Sequence, residues 1–264
     1  MLDHFRLVNQ YLKHHRHSVN RNGHGVHSPF FYSFLTRVLP DSGHLSAFDP
    51  IEKYRRSLLN DQTDFARTDW GAGQTEPSTH ITIRAMARRS LLQPRWCRLL
   101  HRMVRYYRPG TLLELGTSFG VTTQYLSLAD PNQQAITVEG DPFIAMQARA
   151  QFQRGGFSQI DLVAGNFDEC LPELLDRIGP LGFIWMDGNH REEPTIRYFE
   201  QIVPYVHNDT LMVLDDIYWS ASMQSAWNKL RQHPRVRASI DLFRMGVLLF
   251  RKEFHQKSHI HVRY

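Results

Sequence analysis

Cysteine is scarce in this 264-residue chain: Cys97 and Cys170 stand far apart and without Cys-x-x-Cys spacing. That excludes a disulfide framework and a cysteine-ligated zinc site, and both thiols are expected to be buried. No apolar run approaches the roughly 18 residues that a membrane span needs, and the opening residues MLDHFRLVNQYLKHHRH lack the apolar core of a signal peptide. The expectation is a cytoplasmic chain without membrane contact. Acidic residues are missing between Glu76 and Glu114, where Arg84, Arg88, Arg89, Arg95, Arg98, Arg102, Arg105 and Arg108 accumulate.

What is present is globular. Hydrophobic residues make up 42% and charged residues 22%, which excludes disorder as the main theme. Charge is uneven: residues 1–110 are net +9 and residues 111–264 net −4. This split suggests two regions with different tasks, the basic one suited to an anionic substrate, a nucleic acid or a membrane surface. Arg95, Arg98, Arg102 and Arg105 fall on one face of an amphipathic helix, which reads as a solvated face or as an anion-binding stripe.

The first hundred residues read as helical and irregular. Leu2, Phe5, Leu7, Val8, Tyr11 and Leu12 recur at helical spacing, and the polar run from His14 to Asn22 is expected to end a short first helix. Residues 22–29 form a glycine-bearing loop, after which Pro29 opens a helix through Leu39 with Ser28 as its cap. His24 and His27 lie in that loop, and with 15 histidines in the chain neither stands out. Residues 61–79 read as a long loop or lid. Within them Asp69-Trp70-Gly71-Ala72-Gly73 superficially resembles a nucleotide turn but follows no apolar strand.

From Gly110 onward the pattern is regular. Apolar runs at 111–116, 135–139, 160–164, 181–186 and 210–214 alternate with helical stretches, and strands apolar on both faces indicate a parallel sheet covered by helices. Two β-rich runs, 236–242 and 246–251, are too close for a crossover and are expected to form an antiparallel hairpin closing the sheet edge. The implied organisation is a helical extension over residues 1–109 and an α/β domain over 110–264.

Ligands of such sheets bind at the carboxyl ends of the strands. Those ends carry 114–120, Glu139, Gly165-Asn166-Phe167, Asp187-Gly188-Asn189-His190 and Asp215-Asp216. Gly116 and Gly120 permit close backbone approach, and Glu139 at the end of the second strand is placed to accept hydrogen bonds from a ribose diol. Yet the spacing is Glu-x-Gly-x-x-x-Gly, and neither the Gly-x-Gly-x-x-Gly fingerprint nor a Walker lysine is present. Adenosine without a diphosphate cradle points to S-adenosylmethionine.

Leu113-Glu114-Leu115-Gly116-Thr117-Ser118-Phe119-Gly120, followed by Ile136-Thr137-Val138-Glu139, resembles the first two cofactor motifs of class I S-adenosylmethionine-dependent methyltransferases, above all the metal-dependent O-methyltransferases. The likeness covers about residues 110–251. It implies a Rossmann-like, seven-stranded, mostly parallel sheet. It also implies cofactor contacts at Glu114, Gly116, Thr117, Ser118, Gly120, Glu139, Asn166, Phe167 and Asp187. A divalent cation, Mg²⁺ by its chemistry, would be held by Asp187, Asp215 and Asp216, with His190 in the place of the catalytic base. Catechol-type members carry lysine there; a histidine resembles macrocycle- and sugar-modifying members, so the acceptor stays open.

The chemistry is coherent on its own terms. Methyl transfer to oxygen requires a deprotonated acceptor, and a hard cation on carboxylates lowers that barrier. Neutral His190 can take the proton, with Asp187 beside it as second catalytic residue. Converging carboxylates repel, which a cation relieves. Alternatively, Asp215-Asp216 caps a helix beginning near Trp219. Trp185 is expected in the core, and Trp219 is a candidate wall for the hydroxylated small-molecule acceptor. Two other readings remain: an RNA methyltransferase using the basic amino-terminal region, and a non-catalytic module that binds S-adenosylmethionine. Against the first, no Pro-Pro-aromatic motif follows the fourth strand.

Overall fold

The computed structural model describes residues 2–41, 43, 45–68 and 79–264. Its strands are β1 (Ser18–Val19), β2 (Asp64–Arg67), β3 (Thr79–Thr82), β4 (Leu112–Leu115), β5 (Ala135–Glu139), β6 (Ile160–Ala164), β7 (Leu181–Met186), β8 (Val206–Leu214), β9 (Ala238–Asp241), β10 (Gly246–Leu249) and β11 (Ser258–Val262). Nine of these belong to one mostly parallel sheet, which makes the protein α/β and Rossmann-like. Two compact units share the chain: residues 41–174, and residues 1–40 with 175–264.

In the first unit β4, β5 and β6 lie side by side and parallel. All four residues of β4 are buried, as a strand covered on both faces requires. The crossovers are helices whose ends the sequence marks. Asp141 caps the helix Pro142–Gly155 by accepting from the Ile144 amide at 3.0 Å, and Gly156 ends it in the left-handed region. The expected loop at 61–79 is in part a ladder, since β2 and β3 pair antiparallel, with Phe65 buried and stacked on Phe143 at 4.5 Å. Residues 69–78, including the discounted glycine turn, lie outside the described residues.

In the second unit the strand order is β1, β11, β9, β10, β8, β7. The hairpin of β9 and β10 is present, but it does not close the edge: β10 pairs antiparallel with β8, while β9 continues into β11 and then β1, both parallel. The sheet is therefore larger than the seven strands expected. The tail strand was hidden because Ser258-His-Ile-His-Val carries too little apolar character to read as β. The first helix also runs further than its apolar pattern, from Leu2 to His17. His14 within the polar run is buried against Asp241, so the helix gains one more core contact before it ends. β7 is buried at every position, and Trp185 sits in the core as expected. Cys97 is buried, whereas Cys170 is only half-buried.

Candidate functional site

In the first unit the polar chemistry gathers where β4, β5 and β6 end. Gly116 adopts φ 103° and Gly120 φ 74°, values open to glycine at little cost, and the Gly116 and Thr117 amides both donate to the Val138 carbonyl, at 3.0 and 3.2 Å. A Cβ on Gly120 would lie 2.5 Å from the Phe152 ring, so helix packing as well as φ demands glycine there. Ser118, at φ 49°, turns its amide toward β5 and donates to Glu139 Oε2 at 2.7 Å. The Asp141 amide donates to the other oxygen at 3.0 Å. With the Gly140 amide also turned to it, the carboxylate keeps part of its acceptor capacity, and what remains can accept from a ribose hydroxyl. Burial raises the pKa of Glu139, while these backbone donors pull it back. That donor and acceptor set fits the ribose of an adenosine-type ligand.

Glu114 has a different place. It is fully buried, and Thr123 and Thr137 hydroxyls donate to its Oε2 at 2.5 and 2.6 Å while Oε1 has no hydrogen-bond partner. With Thr137 donating to the carboxylate, the 2.6 Å contact between Thr117 and Thr137 must be a Thr117 donation. Glu114 thus braces the glycine loop from beneath rather than facing a ligand, and burial pushes its pKa up to about 8. Asn166 accepts from the Asp168 amide at 3.0 Å and so caps the helix that begins at Phe167, which is itself half-buried. Asp141 escaped the sequence reading: besides capping its helix it accepts from the Thr68 amide at 2.7 Å, and only the Asp-Pro helix signature pointed to it.

The arginine stripe is largely engaged within its own unit. Arg98 donates to Asp41 Oδ2 through Nε and Nη2 at 2.9 and 2.8 Å, Arg102 reaches Asp41 Oδ1 at 3.2 Å, and Arg95 lies over the Trp96 ring.

The second unit holds the strand-end carboxylates. His190 Nε2 is 3.7 Å from Asp187 Oδ1. Burial lowers the His190 pKa, opposed by Asp216 and reinforced by Arg244. Asp215 is buried and receives a two-pronged bond from Arg244, Nε to Oδ1 at 3.1 Å and Nη2 to Oδ2 at 2.7 Å. The same guanidinium lies 3.5 Å from Asp216 Oδ1. Burial, then the Asp216 charge, push the Asp215 pKa up to about 6 against the pull of Arg244.

This arrangement does not fit Mg²⁺. At Mg–O distances of 2.0–2.1 Å, any two ligand oxygens stand at most about 4.2 Å apart. No choice of one oxygen each from Asp187, Asp215 and Asp216 brings all three within 4.8 Å of one another. Arg244 already occupies both oxygens of Asp215. The expected metal triad is corrected accordingly: its residues are at the strand ends, but a guanidinium rather than a cage of oxygens meets their charge. Arg244, in the β9–β10 turn, was not foreseen, because nothing in Phe243-Arg244-Met245 marks a site residue. Nor do Asp215 and Asp216 cap the following helix: Ser220 does, accepting from the Met223 amide at 3.0 Å. Trp219 is exposed at the surface.

Residues 113–217 match the family profile described as a methyltransferase domain. A rat protein named transmembrane O-methyltransferase homolog is 34% identical over 79 residues, 29% of this chain and 31% of the relative. This chain therefore spans about a third of the length of the curated relatives it matches, and among its described residues no helix is long and apolar enough to cross a membrane. Among solved structures, an O-methyltransferase from Bacillus cereus in complex with SAH superposes with a TM-score of 0.57 at 14% identity, covering 83% of this chain and 96% of that one. The O-methyltransferase TomG from Streptomyces achromogenes, involved in tomaymycin synthesis and solved with SAM, gives 0.57 at 17% identity over 84% and 95%.

Proposed function

We propose that this chain, which belongs with the class I S-adenosylmethionine-dependent methyltransferases through the domain at residues 113–217, methylates a hydroxyl oxygen of a small-molecule acceptor. The observation that carries the reading is the Ser118–Glu139 bond. It locks the glycine turn after β4 to the carboxylate ending β5 and leaves that carboxylate able to accept further hydrogen bonds. In this reading the backbone of 116–120 holds the methionine portion, Glu139 holds the ribose, and Asn166 and Phe167 border the adenine. S-adenosylmethionine supplies an electrophilic sulfonium methyl group.

His190 acts as general base in this proposal. Its lowered pKa keeps the imidazole neutral at pH 7, so Nε2 can take the acceptor's proton, and Asp187 stabilises the imidazolium that results. Arg244 answers the charge of Asp215 and Asp216.

The test is His190→Gln, assayed by SAH release against a panel of hydroxylated aromatic and sugar compounds and by calorimetric titration with SAH. Turnover should fall by about 10²-fold with SAH affinity within twofold of the parent. Undiminished turnover removes His190 from the chemistry. Absence of both SAH binding and turnover in the parent removes the methyltransferase reading itself.

A further inference from the structure

Far along the second unit's sheet from β7, the first helix and the last strand build a cluster that the proposed methyl transfer does not use. β11 pairs with β9 in parallel register, His259 opposite Ser239 and His261 opposite Asp241. The two-residue period of a strand therefore sets both histidines on one face, each over its partner. His259 Nδ1 is 2.7 Å from the Ser239 hydroxyl, and its ring stands edge-on to His261 at 4.6 Å. His14 comes down from the first helix. Its Nε2 lies 2.9 Å from the Asp241 carbonyl oxygen and 3.1 Å from Asp241 Oδ1, and its ring is 5.2 Å from that of His261.

Asp241 is fully buried and held in place on both sides. The Tyr218 hydroxyl donates to Oδ2 at 2.8 Å and the Phe243 amide to Oδ1 at 2.9 Å. His261 Nδ1, in contrast, is shut away from solvent without a hydrogen bond, 3.5 Å from Asp241 Oδ2. A buried nitrogen facing a carboxylate at that distance is too far for a good hydrogen bond and costs free energy if nothing else satisfies it. It is the right distance for a shared metal ion. With zinc bonds of 2.0–2.1 Å, tetrahedral ligands stand about 3.3 Å apart; His14 Nε2 lies 3.1 Å from Asp241 Oδ1 and His261 Nδ1 3.5 Å from Oδ2, so each imidazole faces its own oxygen of the one carboxylate at about that spacing. One ligand atom from each of His14, Asp241 and His261 lies within 4.8 Å of the other two.

We propose that His14, Asp241 and His261 form a binding site for one divalent transition metal of the zinc type, leaving a fourth position for water. Two imidazoles and one carboxylate select such ions over Mg²⁺ and Ca²⁺, which prefer all-oxygen shells. The Tyr218 hydroxyl and the Phe243 amide, both donating to Asp241, are the outer partners that orient that ligand. Because the ligands come from the first helix, β9 and β11, the ion would fasten the helix Leu2–His17 to the end of the sheet.

The experiment uses the full chain stripped with a chelator and titrated with Zn²⁺ in a calorimeter, and with Co²⁺ in an absorption cell. The parent should bind one tight equivalent, Co²⁺ should show the visible bands of four-coordination, and saturating Zn²⁺ at about 100 times Kd should raise Tm by about 5 °C or more. His261→Gln and His14→Gln, each checked for fold by circular dichroism, should each weaken binding by about 10²-fold. No tight Zn²⁺ binding by the parent, or affinity unchanged in both variants because exposed His15 and His17 take the ion, overturns the site. Neither result touches the methyl-transfer reading, which SAH binding tests separately.

Discussion

Replacing Arg244 by Met is the most revealing perturbation of the strand-end carboxylates, since it keeps the side chain's bulk and removes its charge. Asp215 would lose both bonds of the guanidinium fork and Asp216 its neighbour at 3.5 Å, leaving adjacent carboxylates with no cation between them. Breaking a buried pair by deleting one partner costs about 3–5 kcal/mol; the lower end applies because a third of the Arg244 side chain is exposed to screening solvent. A loss of about 3 kcal/mol corresponds to roughly 6–12 °C in Tm for a domain of this size. The assay is thermal unfolding followed by circular dichroism, with and without millimolar Mg²⁺. The parent should be indifferent to Mg²⁺. The variant should recover part of its loss with the ion, because freed oxygens can turn to it, and Arg244→Met combined with Asp215→Asn should recover more than half without it. A parent that Mg²⁺ stabilises, or a variant as stable as the parent, would refute the view that Arg244 holds the place expected for the metal.

Two further outcomes follow from the first unit. Gly120→Ala should destabilise by about 2 kcal/mol or more in urea denaturation, since the new methyl meets the Phe152 ring while φ 74° is already unfavourable for alanine; a neutral result would mean that the loop readjusts freely. Glu114 gives a pH dependence. Its folded pKa of about 8 stands above the ordinary value of 4.5 for a glutamate, so the folded state holds a proton that the unfolded state releases, and stability falls as pH rises through that window. The stability gap between Glu114→Gln and the parent should shift in favour of the variant by on the order of 5 kcal/mol from pH 4 to pH 9. A pH-independent gap contradicts the buried, protonated carboxyl.

The central sheet and the glycine turn after β4 were legible because parallel strands advertise themselves as short apolar runs, and because that turn needs glycine for backbone reasons. Glu139 was readable for the same reason: its position at a strand end follows from counting along β5. Glu114 looked like a ligand because it sits inside the motif, whereas alternation along β4 turns it into the core beside Thr123 and Thr137. The metal triad failed for a non-local reason. Asp215 and Asp216 lie at the end of β8, but their partner Arg244 comes from a turn about thirty residues later that only hairpin pairing brings home. The histidine cluster was equally hidden. His14 ended an apolar pattern and β11 showed none, so only the β9–β11 register reveals that His261 meets Asp241.

The most direct measurement is calorimetric titration of the full chain and of Glu139→Ala with SAH, without added metal. The parent should bind one equivalent with a micromolar or tighter Kd. The variant, deprived of charge-assisted bonds to the ribose worth about 1.5–3 kcal/mol each, should bind about 10²-fold more weakly. Equal affinity in the two proteins, or no binding by the parent, would contradict the account.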